Sequence, residues 1–438
     1  MAMRSTIRGT TGAAAMAAVL AATPAQAFRL DYVVDAGVEH DDNVHVSDTD
    51  IRSDWIARAG LGFLATQDGS TVQALVSGRA DYRSFRGNTS SGMEGTLSAY
   101  LNWVMIPDRL SFTVLDELEL QAIDRFAADS PDNRQQINVL SLGPNFMFNM
   151  GTLQGRLEAR YIDTDAEVTE EFNSSRAAIA LRATKQINDL SSLSFNAQWM
   201  DVDYDNDLAA RDHERSDLYA RYERTQASTD YALDIGYSQL DYADGERSDG
   251  PLVRFEAGWR PRERSRLALT VVNQFSDAAD AALAEGAAAR PEASVPGGVL
   301  VDGSTIVPSA YRERRASLAY EYTGERISLR VAPYVQRLRY MDALQVDEEG
   351  RGVLFGLDYA ISPTLSLGGW AAVERIEYDQ TGTTDDIRRG AIVLSRQWTR
   401  HWSTSLSYYR YERDSGFFGS EIGQNIWYLW VSYGNRPR

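Results

Sequence analysis

From Phe28 onward, apolar residues recur at every second position in one short segment after another. Leu30, Tyr32, Val34, Ala36 and Val38 share a face. So do Trp55, Ala57, Ala59, Leu61, Phe63 and Ala65, then Val72, Ala74, Val76, Gly78, Ala80 and Tyr82. The period returns in Leu193–Trp199, in Ile327–Val335, and in Trp427, Leu429, Val431 and Tyr433. A period of two is the signature of strands. The connections between segments alternate strictly in kind. Short turns fall at 68–70, 107–109, 149–152, 323–326, 362–364 and 399–401. Long, polar, acidic connections fall at 40–54, 86–93, 122–135, 164–174, 204–213, 242–250, 276–310, 341–350, 377–386 and 412–423. A water-soluble sandwich has no reason to alternate in this way. A transmembrane barrel does, with short turns on one side of the membrane and longer loops on the other.

The segments number about 20, or 18 within the boundary error usual for such readings. Each is close to the ~10 residues that a tilted membrane-crossing strand needs. The expected fold is therefore all-β: one antiparallel up-and-down transmembrane barrel over residues 28–438, its short turns periplasmic and its long acidic loops outside. Closure satisfies every backbone donor and acceptor without an edge. Trp55, Tyr82, Trp103, Tyr161, Trp199, Tyr222, Trp259, Tyr322, Tyr359 and Tyr433 lie near segment ends, where interfacial girdles belong. Residues 1–27 read as a cleavable secretory signal, with Arg4 and Arg8 before an Ala-rich run and Ala25-Gln26-Ala27 as the cleavage site, cut after Ala27. The chain has no cysteine and a formal charge of -18, which argues against nucleic acid as a partner.

The opposite face of each strand is polar and points into the lumen. Candidate pore-lining or substrate residues are Arg79, Arg83, Arg156, Arg160, Tyr219, Arg221, Arg315, Arg330, Tyr334 and Trp370, interleaved with Asp81, Glu158, Glu223, Glu256, Glu321 and Glu374. A barrel this wide is not filled by side chains alone. Arginine binds carboxylates bidentately, and aromatic rings stack on sugar faces, so the set suits an acidic polysaccharide. The same Arg–Glu alternation also suits a wall held by ion pairs. The loop 276–310 opens on an Ala-rich stretch and is expected to cap the pore, to constrict it, or to hang free.

The segment "VEHDDNVHVSDTDIRSD" concentrates Asp41, Asp42, Asp48, Asp50 and Asp54 around His40 and His45. It lacks the spacing of a calcium loop and is expected to be a solvated surface that shares divalent ions with lipopolysaccharide. No metal, no cofactor and no catalytic motif is expected, and the chain reads as a non-enzyme. A rim site using His40 or His45 is the enzymatic alternative. A plugged TonB-dependent transporter is not expected, because the first strand starts next to the cleavage site.

"GVEHDDNVHVSDTDIRSDW", with Asp42-Asn43-Val44 and Ser47-Asp48 after the first strand, resembles the start of the β-barrel porin 2-like proteins of exopolysaccharide and capsule loci, including those of PEP-CTERM/exosortase systems. "LFGLDYAISPTLSLGGW" and "LSRQWTRHWSTSLSYYRYER" are similar to that family's C-terminal half. The closing strand, with Trp427, Leu429, Val431 and Tyr433, resembles the signal read by the barrel-assembly machinery, although "GNRPR" follows Tyr433. The resemblance implies an outer-membrane porin that exports polysaccharide, with the assembly machinery, outer-membrane lipid and lipopolysaccharide, and periplasmic export proteins as partners. A general small-solute porin is the second reading.

Overall fold

The computed structural model describes residues 28–435 except 88, 90, 124–130, 171–172, 207–210, 278, 281–282, 284–300, 303–308, 343–344 and 418. The signal segment with Ala27 lies outside the described residues, as does most of 276–310. Twenty long strands form the wall. They are β1 (Phe28–Asp41), β2 (Asp54–Asp68), β3 (Val72–Phe85), β4 (Gly92–Ile106), β5 (Leu110–Ala122), β6 (Arg134–Met150), β7 (Leu153–Ala166), β8 (Ser174–Asn188), β9 (Ser191–Tyr204), β10 (His213–Thr225), β11 (Thr229–Tyr242), β12 (Arg247–Arg262), β13 (Ser265–Ser276), β15 (Tyr311–Thr323), β16 (Ile327–Tyr340), β17 (Glu348–Ser362), β18 (Leu365–Tyr378), β19 (Thr383–Gln397), β20 (Trp402–Ser415) and β21 (Ser420–Gly434). A two-residue strand, β14 (Val301–Asp302), lies between β13 and β15. Each long strand pairs antiparallel with its sequence neighbours, and β21 pairs with β1. The result is a closed transmembrane-type barrel.

The strands run from 12 to 17 residues, longer than the ten the sequence period suggests. The difference lies at the loop ends, where polar residues keep the alternation and the ladder continues past the apolar belt. The connections expected at 242–250, 377–386 and 412–423 accordingly shrink to 243–246, 379–382 and 416–419. At the other end, turns are tight: Asp108 (φ 57°) and Gly151 (φ 63°) take the left-handed conformation that reverses the chain.

Register assigns the faces. Leu30, Val34 and Val38 project outward and are well exposed, whereas Asp31, Asp35 and Glu39 point inward and are buried. All ten girdle aromatics fall on the outward face; Trp55, Tyr82, Tyr161 and Trp199 sit toward the loop end, and Trp103, Tyr222, Trp259, Tyr322, Tyr359 and Tyr433 toward the turn end.

The acidic segment after β1 is the clasp of the closing seam. Asn425 of β21 donates its backbone N–H and its Nδ2 to Asp42, each at 2.7 Å. Gln424 Nε2 donates to Asp41 at 2.8 Å, and Asn43 Nδ2 donates to Gly423 O at 3.0 Å. Val46, in a left-handed conformation (φ 48°) unusual for a β-branched residue, is buried with Tyr411 and Ile422. At the turn end, Asn435 accepts from the Tyr32 N–H and donates to Leu30 O, each at 2.8 Å. Mid-seam, Gly37 faces Trp430 across the β1–β21 pair.

Candidate functional site: an arginine–aromatic strip on the lumen wall

The lumen wall is not uniform. Around the seam it is a dense ion-pair network. Arg79 bonds Asp35 at 2.8 Å and Asp81 at 2.6 Å; Arg58 reaches Glu39 at 2.7 Å; Arg83 reaches Glu39 at 2.9 Å. The Arg79, Asp35, Asp81 and Glu39 side chains are each 4 % exposed or less. Arg58 also lies 4.7 Å over the Tyr428 ring, which stacks on Trp430. Arg79 and Arg83 are thus taken up by the wall. Such pairs fix register more than they add net stability, but losing one partner leaves a buried charge and costs ~3–5 kcal/mol.

A second group is also held by the wall. Arg156 pairs with Glu158 at 2.6 Å, and Arg160 bonds Glu158 and Asn145. Arg221 pairs with Glu223 at 2.5 Å and Asp234 at 3.2 Å. Tyr219 is buried, its hydroxyl accepting from Gln198 Nε2 at 3.1 Å and its ring lying under Arg254 at 5.4 Å.

The start of the long loop turns inward and docks. Asp277 binds Arg176 of β8 at 2.7 Å through both carboxylate oxygens. Asp280 binds Arg215 of β10 at 2.5 Å. Burial alone would raise the Asp277 carboxyl, but the Arg176 and Arg215 guanidinium groups outweigh it and hold the carboxyl down to about 2. Ala279 and Leu283 pack on Ile137, Val139, Ile162 and Ala166, an apolar patch on the inner wall of β6 and β7. Farther on, Val301–Asp302 pairs in parallel with Leu120–Gln121 of β5, eight strands round the wall from β13. Of the three arrangements open to this loop, its described start takes the inward one; the receiving patch is not distinctive in sequence, because the apolar inner positions of β6 and β7 look like any other strand residue.

On β15–β18 the wall is different. Arg315, Arg330 and Trp370 are exposed to the lumen, and Tyr334 is half-buried. Register sets them together: Arg330 lies opposite Gly356, Gly356 opposite Trp370, Tyr334 opposite Gly352, and Gly352 opposite Glu374. Arg315 sits 5.8 Å over the Tyr334 ring, whose hydroxyl donates to Glu374. Arg330 reaches Glu321 only at 3.7 Å, and Trp370 tilts toward Tyr409 at 6.1 Å. Gly350, Gly352 and Gly356 leave the inner face of β17 low, with Leu354 the one larger side chain between Gly352 and Gly356. The Tyr334 ring leans over Gly352, where an added methyl would sit 2.8 Å from the ring edge. The result is a shallow trough walled by two aromatics and two arginines. Of the ten predicted residues, the structure brings together Arg315, Arg330, Tyr334 and Trp370. The glycines between them went unnoticed in the sequence, though their alternate spacing on one strand was the available signal.

Three histidines lie elsewhere. His40 meets the Trp55 ring edge-on, His213 Nδ1 lies 3.1 Å from Arg211 O, and His401 Nδ1 lies 2.8 Å from Gly434 O. Among the described residues, no three His, Asp or Glu side chains are grouped to hold a metal ion.

The fold and lumen define the class: a twenty-strand transmembrane β-barrel with a polar interior. No family model and no curated protein matches the chain. Solved structures with a similar fold include the apoprotein form of the FrpB iron transporter of Neisseria meningitidis (8% identity, TM-score 0.48, covering 94% of this chain and 81% of that one). The siderophore receptor PirA of Pseudomonas aeruginosa matches at 11% identity and TM-score 0.43, over 93% and 80% of the two chains. A loop-deletion mutant of OmpT, an outer membrane protein of Vibrio cholerae, matches at 10% identity and TM-score 0.36, over 93% and 100%. These likenesses concern the strand wall; what those proteins carry is their own property.

Proposed function

We propose that this protein is an outer-membrane channel for export of an acidic polysaccharide, with the β15–β18 strip as its track. The supporting observation is the exposed set Arg315, Arg330, Tyr334 and Trp370 over a glycine-rich strand. Arginine supplies donors for sugar carboxylates, and the rings supply stacking faces. Their wall contacts are looser and more exposed than those of the seam arginines. The outward apolar belt and its two aromatic girdles support placement in a bilayer. In this reading the loop ends face outside, the docked loop narrows the mouth, and the chain of sugars threads past it. Partners in the periplasm and the assembly machinery follow from the same reading.

The inward docking of Asp277 and Asp280 also favours a second reading, a diffusion porin for small solutes, since a loop held inside the mouth restricts width. Gene deletion separates the two. Surface and secreted polysaccharide are quantified in the deletion strain, then after return of the wild-type or the Trp370→Ala gene. Loss restored by wild type, and restored less by Trp370→Ala, supports export. Unchanged polysaccharide with altered small-solute uptake overturns it.

A further inference from the structure

The outer surface of the barrel carries a second concentration of arginine, at the loop end of β15–β18. Here the side chains point away from the lumen. Register places three arginine pairs directly across from one another: Arg312 opposite Arg339, Arg314 opposite Arg337, and Arg351 opposite Arg375. Directly opposed residues in an antiparallel pair have Cβ atoms ~4.5–5.5 Å apart, and like charges there are destabilising. Three such pairs on four consecutive strands, in a protein of net charge -18, call for an anion.

The local carboxylates meet only part of that need. Arg337 pairs with Glu349 at 2.9 Å and Asp379 at 2.8 Å, and Arg375 with Asp386 at 2.6 Å. Arg312 donates to Asn273 Oδ1 at 3.2 Å. Glu377 also lines the site. Arg314, Arg339 and Arg351 make no ion pair among the described residues. Arg312, Arg314, Arg337, Arg351 and Arg375 border a groove of about 610 Å³ whose remaining lining includes Pro251, Val271, Ala316 and Val335. Groove and charges lie immediately above outward-facing apolar residues, with Val335 and Val353 exposed below Arg337 and Arg351.

We infer that this groove is a binding site for a phosphorylated glycolipid of the outer leaflet, of the lipid A type. Phosphate oxygens bridge the opposed guanidinium groups, and acyl chains lie down the apolar side of the groove along Val335 and Val271. The position selects this occupant. A soluble anion has no use for the apolar half, and an ordinary phospholipid carries one phosphate for three arginine pairs. The inference rests on the outer-membrane placement but not on the identity of the cargo.

The test uses the full chain expressed in a Gram-negative host and purified from outer membranes in mild detergent. Recovery in that fraction tests the placement; binding tests the site. Native mass spectrometry compares bisphosphorylated lipid A with its dephosphorylated form, and inorganic phosphate is added as competitor. The expected result is binding of the bisphosphorylated form at least tenfold tighter, little displacement by phosphate at the lipid's concentration, and a tenfold loss in an Arg314→Gln/Arg351→Gln variant. An Arg314→Lys/Arg351→Lys variant should recover part of the loss. Heat-dependent mobility on gels confirms that each variant forms the barrel. Equal binding of the two lipids, displacement by phosphate alone, or unchanged binding in the folded Gln variant would overturn the inference.

Discussion

Replacing Asp277 by Asn tests the docked loop. Arg176 Nη1 lies 2.7 Å from both Asp277 carboxylate oxygens, and the two side chains are 4 % and 2 % exposed. At an effective dielectric near ~20, charges at that separation attract by roughly 6 kcal/mol before desolvation is subtracted. Removing one member of such a buried pair costs ~3–5 kcal/mol net, because the remaining charge stays out of water. The other contacts of the segment are weaker. The Arg215–Asp280 pair is more exposed, the β14–β5 ladder has two residues, and Leu283 is only partly buried. Since ~1.4 kcal/mol shifts a two-state equilibrium tenfold, a loss of ~3 kcal/mol raises the undocked population by roughly a hundredfold. Single-channel recording in planar bilayers should show a larger mean conductance and more open-channel noise for Asp277→Asn than for wild type. An Arg176→Met/Asp277→Leu double variant, which removes both charges, should return toward the wild-type conductance. Identical traces for wild type and Asp277→Asn would refute both the docking energy and the narrowing.

The remaining predictions use the same geometry. Acid should release the loop without mutation: the Asp277 carboxyl is held down to about 2, so its contribution is complete above the ordinary carboxylate range and is lost as pH falls from about 4 toward 2, and conductance should rise over that interval at constant salt. Asp42→Ala removes two 2.7 Å acceptor contacts from the seam, and the temperature at which the folded gel band converts should fall, by an amount equivalent to ~1–3 kcal/mol; an unchanged transition would mean that the clasp is idle. Gly37→Leu puts a Cβ 2.6 Å from Trp430 Cβ, and folded barrel should be nearly absent from the membrane fraction, whereas Gly350→Ala, with open space around it, should leave the yield unchanged.

What the sequence made legible follows from the strictness of period two. Once Leu30, Val34 and Val38 are placed outward, every inward residue of β1 is fixed, and antiparallel register carries the assignment from strand to strand. The lumen positions of Arg315, Arg330, Tyr334 and Trp370 could therefore be read directly. What could not be read is the company each residue keeps. Arg79 and Arg330 have the same alternation pattern, yet one is locked between Asp35 and Asp81 and the other lies opposite Gly356 with only a 3.7 Å contact to Glu321. That contrast depends on residues far away in sequence. For the same reason Asp42 looked like solvated acidity, although its partner Asn425 lies at the other end of the chain. The loop boundaries were misplaced because a polar residue at a strand end still pairs its backbone once lipid is left behind. The outward arginines of β15–β18 lie within the expected strands, but opposition across a ladder depends on register, which alternation along a single strand does not set.

The ion-pair network around the seam has an electrical consequence. Arg58, Arg79 and Arg83 are each matched by Asp35, Glu39 or Asp81 at contact distance, so that sector of wall is nearly neutral when viewed from the axis. Much of the excess negative charge sits in the loops, and at physiological salt its potential decays over about 8 Å. An ion halfway down the bore therefore senses neither the seam nor the mouth. It senses the nearer wall charges, among them Arg315 and Arg330 on one side and Arg156 and Arg182 on the other. A strongly acidic protein can in this way present exposed arginines along its conduction path, and its bulk isoelectric point is a poor guide to which ions it lets through.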